Sequence, residues 1–212
     1  MFISINRILA VLAICLMSYV GFAPNSSAET TTVASQADVK MAMRKLWEDH
    51  ITYTHRYIIS ELANLPDSGA VAKRLLKNQD DIGDAIKPYY GDEAGNKLAA
   101  LLREHIMVAT DVVKAAKSGE KKSLDDAQAK WSANGKEIAA FLSGANPNLP
   151  KADLENMLQK HLDHTTAEVV ARLGKDWEAD IRAYDEGHVH MLMFSDMLVE
   201  GIAKQYPNKF TN

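Results

Sequence analysis

Residues 46–51 read Leu-Trp-Glu-Asp-His-Ile: two large apolar residues, two polar residues, a histidine and another apolar residue. The pattern returns at 101–106 as Leu-Leu-Arg-Glu-His-Ile and at 157–162 as Met-Leu-Gln-Lys-His-Leu. On an α-helix, the residues three and four before each histidine lie on the same face as that histidine. The pattern therefore predicts three amphipathic helices, each with a histidine pointing inward from the middle of its buried stripe.

The spacing of these histidines predicts how the helices are connected. His50, His105 and His161 lie 55 and 56 residues apart, which is enough for one long helix and one returning segment per interval. Because each interval brings the chain back to the same depth, the three side chains should lie at similar heights in one core. No stretch alternates with the period of a strand. We predict an all-α, up-and-down bundle of five long helices near 37–64, 92–118, 123–143, 150–173 and 175–205, with two short helices, 70–78 and 80–86, in one connection.

The N-terminus has the composition of a secretory signal peptide. Arg7 is its only charged residue, residues 8–22 are apolar, and the small residues 26–28 precede Glu29. We predict a signal peptide at 1–28, a disordered leader at 29–36, and an extracytoplasmic location, either secreted, periplasmic or in the cell envelope. An uncleaved anchor is the alternative. The third predicted segment is a single helical domain at 37–206.

Composition limits the classes of partner. Without Arg7, 23 of the 24 lysines and arginines remain against 28 acidic residues, so no basic surface for nucleic acid is expected. The only cysteine, Cys15, lies in the predicted signal, so the mature chain has no disulfide. After signal cleavage no segment is long and apolar enough to span a membrane. Protein partners cannot be inferred from the sequence.

A polar layer is predicted across the middle of the bundle. Burying an unpaired polar group costs about 1–3 kcal/mol, so three histidines at one depth need partners. Neutral imidazole is a common metal ligand, and bundle cores hold metal sites. We therefore predict that the layer binds a transition metal ion: zinc, copper, iron or manganese. The predicted ligands are His50, His105 and His161 with Asp185 or His188, and the predicted orienting residues are Asn134, Thr54, Thr165 and Glu168.

The alternative is a structural or protein-interaction bundle in which a hydrogen-bonded histidine network fixes the helix register without metal. An enzyme is the less favoured interpretation, because no nucleophile is paired with a base and no phosphate-binding loop is present. His55 and His190 fall off the predicted stripes, so we expect them at the surface or boundary of the core.

Five short segments stand out along the chain: Leu-Trp-x-x-His at 46–50, Arg-Leu-Leu-Lys-Asn at 74–78, Pro-Tyr-Tyr-Gly at 88–91, Ile-Ala-Ala-Phe-Leu at 138–142 and Ala-Tyr-Asp at 183–185. They resemble a family of small helical bacterial proteins that is common in spore formers and mostly uncharacterised. Some of its members carry labels such as acetylglutamate kinase or glycosyltransferase. The resemblance covers nearly all of residues 40–210 and implies a single helical domain. The enzyme labels would imply nucleotide binding, for which the chain shows no motif.

Overall fold

The computed structural model of the protein describes residues 34–211, which form a bundle of α-helices. The predicted signal peptide, and all but the last three residues of the predicted leader, lie outside the described residues. The all-α prediction is confirmed: within 34–211 no β-strand is present. The elements are α1 (Gln36–Leu62), α2 (Ser68–Ser118), α3 (Lys121–Ala145), α4 (Lys151–Gly174) and α5 (Trp177–Gln205), followed by a 3-10 turn (Pro207–Lys209).

Helix α2 is a hairpin of two helical arms, 68–90 and 92–118, joined at Gly91. The backbone of Gly91 has φ 83° and ψ 169°, a conformation that is essentially restricted to glycine. The arms approach so closely that a Cβ atom added to Gly83 would lie 2.6 Å from the carbonyl oxygen of Gly95. The chain therefore reverses direction inside α2, and the bundle contains six antiparallel segments.

The first arm of α2 replaces the two predicted short helices, and the predicted break between them is wrong. The sequence predicts that one helix ends at Asn78 and that Gln79 is a linker, but both residues are helical and fully buried. The Asn78 amide donates a hydrogen bond to the carbonyl oxygen of Leu46 at 2.9 Å. These polar side chains bind the neighbouring helix instead of ending their own.

Neighbouring segments run antiparallel around a shared apolar core. Arg44 on α1 forms a bidentate ion pair with Asp196 near the end of α5. The main core cluster includes Trp47, Ile82 and Phe194, which come from three different helices. Within the described residues, no helix combines the length and the apolar character needed to cross a membrane.

The ends of the described chain meet. The backbone amide of Thr211 donates to the carbonyl oxygen of Ala34 at 3.2 Å, and Ser35 forms an isolated bridge with Thr211. Ser35 also caps α1, because its hydroxyl accepts from the backbone amide of Asp38 at 3.1 Å while the Asp38 carboxylate accepts from Ser35. The N-terminal and C-terminal ends of the bundle are therefore fixed to one another.

The N-terminal half of α5 presents a different face to the core from the one that the sequence predicts. Ile181 is 58% exposed and Asp185 is exposed, whereas Ala183 and Gly187 are buried. A Cβ atom added to Gly187 would lie 3.3 Å from the Cβ atom of His164, so the helices are in close contact there. The sequence predicts Asp185 and His188 inward as ligands, but the contact with α4 uses the small residue Gly187.

Candidate metal centre

The three repeated histidines lie together in the buried core, as their spacing predicted. The Nε2 atoms of His50 and His161 are 3.4 Å apart, and the imidazole of His105 stacks on that of His161 with 5.9 Å between ring centroids. All three residues are at most 2% exposed. The structure therefore contains a central histidine layer, defined here as His50, His105 and His161.

Both nitrogens of His105 are occupied by hydrogen bonds. The indole N–H of Trp131 donates to His105 Nε2 at 3.1 Å, which makes that nitrogen an acceptor and puts the ring proton on Nδ1. Nδ1–H then donates to the Asn134 side-chain oxygen at 2.8 Å. The Asn134 amide in turn donates to the carbonyl oxygen of Leu101 at 3.1 Å. Asn134 thus orients His105 as predicted, but this arrangement leaves His105 no free lone pair for a metal.

The other two imidazoles contact each other and Gln79. The Gln79 amide nitrogen lies 3.3 Å from His50 Nδ1, and His50 Nε2 faces His161 Nε2. His161 Nδ1 has no hydrogen-bond partner. Gln79 is not among the predicted orienting residues, because a single glutamine on a helix carries no distinctive pattern.

The two threonines that were predicted to orient the imidazoles bind backbone instead. The Thr54 hydroxyl donates to the carbonyl oxygen of His50 at 2.7 Å, and the Thr165 hydroxyl donates to that of His161 at 3.0 Å. Both acceptors lie one turn earlier on the same helix, a common bond for buried threonine. These side chains are buried beside the histidine layer without contacting its ring nitrogens through hydrogen bonds.

Burial keeps the histidine layer neutral. Desolvation, followed by the charge of His105, lowers the pKa of His50 to about 3, and desolvation lowers the pKa of His105 to about 4. Desolvation, followed by the charges of His50 and His105, lowers the pKa of His161 well below its usual value. The imidazoles are therefore uncharged at neutral pH, as a hydrogen-bonded core network requires.

The structure does not bring Asp185 or His188 to the histidine layer. Asp185 is exposed on α5, so its predicted inward orientation is wrong. His188 is partly exposed, and its Nε2 atom lies 3.7 Å from a carboxylate oxygen of Glu48 on α1. Their predicted role as ligands completing a site with the layer has no geometric support, because α5 is rotated relative to the predicted face.

A different group of side chains converges one turn or more beyond the layer. His55 on α1, Glu168 on α4 and Asp180 on α5 each offer one ligand atom, and the three atoms lie within 4.8 Å of one another. His55 Nδ1 is 2.7 Å from Glu168 Oε2 and 3.8 Å from Asp180 Oδ1. The side chains of the three residues are 18%, 4% and 2% exposed, respectively. We call this group the His55 cluster.

The carboxylates of the His55 cluster are held in a poorly solvated environment. Burial raises the pKa of Glu168, and the hydrogen bond and charge of His55 oppose that rise. Arg172 Nη1 donates to Asp180 Oδ2 at 2.6 Å, whereas Asp180 Oδ1 has no hydrogen-bond partner. A buried carboxylate oxygen without a partner is costly, and a bound cation would remove that cost.

Only part of the His55 cluster is predicted by the sequence. Glu168 was predicted to orient an imidazole, His55 was placed at the core boundary, and Asp180 was missed. A signal was available, because His55 follows His50 by five residues and Glu168 follows His161 by seven on helices that run in the same direction. The two spacings differ by two residues, so with a rise of about 1.5 Å per residue the heights of His55 and Glu168 differ by only about 3 Å.

Comparisons of this chain with protein families, with curated proteins and with solved structures found no match. The description of this protein therefore rests on its fold and on the geometry of its site. The described chain is an all-α bundle with a neutral histidine layer in its core and a separate His-Glu-Asp group that could hold a metal ion.

Proposed function

We propose that this protein binds a divalent first-row transition metal ion through His55 Nδ1, Glu168 Oε2 and Asp180 Oδ1. The observation that carries the proposal is the convergence of three potential ligand atoms from three helices, one of which, Asp180 Oδ1, is buried without a hydrogen-bond partner. A metal there would connect α1 to both α4 and α5.

The charges in the site favour a cation. Glu168 and Asp180 carry two negative charges when ionised, and Arg172 supplies one positive charge through its ion pair with Asp180. One buried negative charge then needs compensation, either by a proton within the cluster or by a metal ion. One imidazole and two carboxylates, with no sulfur, suit zinc, iron(II) or manganese better than a soft cation.

The histidine layer has a different role in this proposal. Because Trp131 and Asn134 occupy both nitrogens of His105, the layer acts as a hydrogen-bonded network: the bonds of His105 fix the relative heights of α2 and α3, and the His50–His161 contact joins α1 to α4. This is the structural alternative of the sequence analysis, now applied to the layer alone. Metal binding by the layer itself stays a prediction, and the experiment below tests it as well.

Export is a further part of the proposal. Its support is the sequence of residues 1–28, in which one arginine precedes an apolar stretch and a group of small residues. An exported chain without disulfides gains stability from a bound metal, because any ligand that binds only the folded state shifts the folding equilibrium. Fractionation of the producing cells, with N-terminal sequencing of the mature protein, tests this part.

The test of the metal site is a titration of the untagged protein with Zn²⁺, Mn²⁺ and Fe²⁺, followed by calorimetry and elemental analysis. We expect one ion per chain, with binding at least about tenfold weaker in Glu168→Gln and Asp180→Asn, since each substitution removes a charged ligand. His188→Gln is the matched control, because it removes a partly exposed imidazole from α5 that pairs only loosely with Glu48.

Two results would contradict the proposal. One is the absence of stoichiometric binding of every ion tested, which would leave the His55 cluster as an ion-pair network. The other is loss of the metal in His161→Gln together with full retention in Glu168→Gln. That pattern would transfer the site to the histidine layer, as the sequence analysis first predicted.

A further inference from the structure

Arg172 controls which oxygen of Asp180 faces the His55 cluster. Its Nη1 atom donates to Asp180 Oδ2 at 2.6 Å, and its guanidinium carbon lies 5.0 Å from the ring centroid of Trp177. The turn between α4 and α5 makes this contact possible, because Lys175 adopts a left-handed conformation with φ 59° and the Asp176 amide donates to the carbonyl oxygen of Ala171. Arg172 is thus fixed on both sides.

We propose that Arg172 is the specificity-determining residue of the metal site, because it restricts Asp180 to a single coordinating oxygen. The inference rests on the metal site proposed above and adds a preference for low coordination numbers. With Oδ2 occupied by the guanidinium group, only Oδ1 is available to an ion near His55 and Glu168. The positive charge of Arg172 also reduces the negative charge of the site.

Both effects select against calcium. Ca²⁺ takes about six to eight oxygen ligands and frequently uses both oxygens of a carboxylate. Zn²⁺ and Co²⁺ accept a tetrahedral site in which one oxygen from each carboxylate, one imidazole nitrogen and one water molecule are the four ligands. If Arg172 were absent, Asp180 could use both oxygens, and the site would carry one more unit of negative charge. It would then accommodate a larger ion with more ligands.

The test uses the intact protein loaded with Co²⁺, whose visible absorption is far stronger in four-coordinate than in six-coordinate sites. For the wild type we expect strong absorption and tighter binding of Zn²⁺ than of Ca²⁺. In Arg172→Gln we expect the absorption to fall and the ratio of Zn²⁺ to Ca²⁺ affinity to drop about 10- to 100-fold. Arg172→Lys should recover part of the ratio, because lysine still donates to Oδ2 as a point charge.

Arg182→Gln is the control, because Arg182 is an exposed arginine on α5 whose partner, Glu178, is 3.9 Å away. It should leave the spectrum and the affinity ratio unchanged. If Arg172→Gln does not fold, Trp177→Leu replaces it. That substitution removes an exposed ring that fixes the guanidinium group, and it should lower the ratio in the same direction.

The outcomes separate the two proposals. If the wild-type protein binds neither Co²⁺ nor any of Zn²⁺, Mn²⁺ and Fe²⁺, both the metal site and the role of Arg172 are refuted. If it binds Co²⁺ with the weak absorption of a six-coordinate ion, the metal site stands and the role of Arg172 is refuted. The same conclusion follows if the Arg172 and Trp177 variants keep the wild-type spectrum and ratio. A purely structural ion pair would change thermal stability without changing either quantity.

Discussion

Mild acid should destabilise this protein strongly, because unfolding releases three neutral imidazoles that take up protons. In the unfolded chain each histidine has a pKa of about 6.5. In the folded protein burial lowers the pKa of His50 to about 3 and of His105 to about 4, and it lowers that of His161 as well. The stabilisation is therefore complete above pH 6.5 and is lost as the pH falls from there toward the folded values.

The magnitude follows from proton linkage. One histidine that is protonated only when unfolded costs about 1.4 kcal/mol of stability per pH unit once the pH is below 6.5. Between pH 7 and pH 5 this amounts to about 2 kcal/mol for each member of the layer, and about 6 kcal/mol for three. Domains of ordinary stability unfold at about 5–15 kcal/mol, so the loss is a large fraction of the total.

Other groups titrate in this range or below it. Burial lowers the pKa of His190, which adds to the loss. Burial raises the pKa of Glu168, so protonation of this one carboxyl favours the folded state as the pH falls and opposes the loss. The ion pairs at Asp126 and Asp196 lower the pKa of those carboxyls, so their contribution belongs to more acidic solutions. Between pH 6 and pH 5 the histidine layer should dominate.

The assay is urea unfolding followed by circular dichroism at pH 7, 6, 5.5 and 5, with a chelator present to exclude metal effects. Near pH 5 the slope of the unfolding free energy against pH should approach the value that corresponds to the uptake of three protons on unfolding. In His105→Gln, whose amide can replace both ring contacts, the number of protons taken up on unfolding should fall by one. Ile106→Val, a neighbouring buried substitution, should lower stability without altering the slope. An uptake of one proton or fewer in the wild type would refute the reasoning.

Three further substitutions test the packing that supports the site. Gly83→Ala should cost about 1–3 kcal/mol in urea unfolding, because its Cβ atom would lie 2.6 Å from the Gly95 carbonyl oxygen; wild-type stability would show that the arms of α2 are farther apart. Trp131→Phe should cost about 1–3 kcal/mol by the same assay, because His105 Nε2 loses its donor, and no loss would mean that the indole bond is absent. Gly91→Ala should lower the melting temperature, because alanine at φ 83° introduces about 1–3 kcal/mol of strain, and a neutral effect would contradict the hairpin geometry.

The fold could be read largely from apolar periodicity, because that signal reports which face of a helix is buried. The equal depth of His50, His105 and His161 followed from their spacing alone. The first arm of α2 was misread as two helices, since nothing in its sequence shows that Asn78 and Gln79 find partners on another helix. Partners distant in sequence decide whether a polar residue breaks a helix or is buried in it.

The His55 cluster was less predictable for a related reason. Asp180 is buried because Arg172 neutralises it, and a charged residue next to an apolar stripe is normally assigned to the surface. Small residues such as Gly187 set the rotation of α5, whereas periodicity gives more weight to large ones. Asp185 and His188 were placed inward by that bias, and the residue that does reach the site lies five positions before Asp185.

The contact between Ala34 and Thr211 has a consequence for engineering and for folding. Because these two ends are joined by a backbone hydrogen bond, a short linker could connect them and the chain could be reopened elsewhere, for example in the exposed turn at 119–120 between α2 and α3. Such a circular permutant would keep every helix packed against the same neighbours while changing which helices are synthesised first. The closure of the bundle by its first and last segments would become an early, local event instead of the final one.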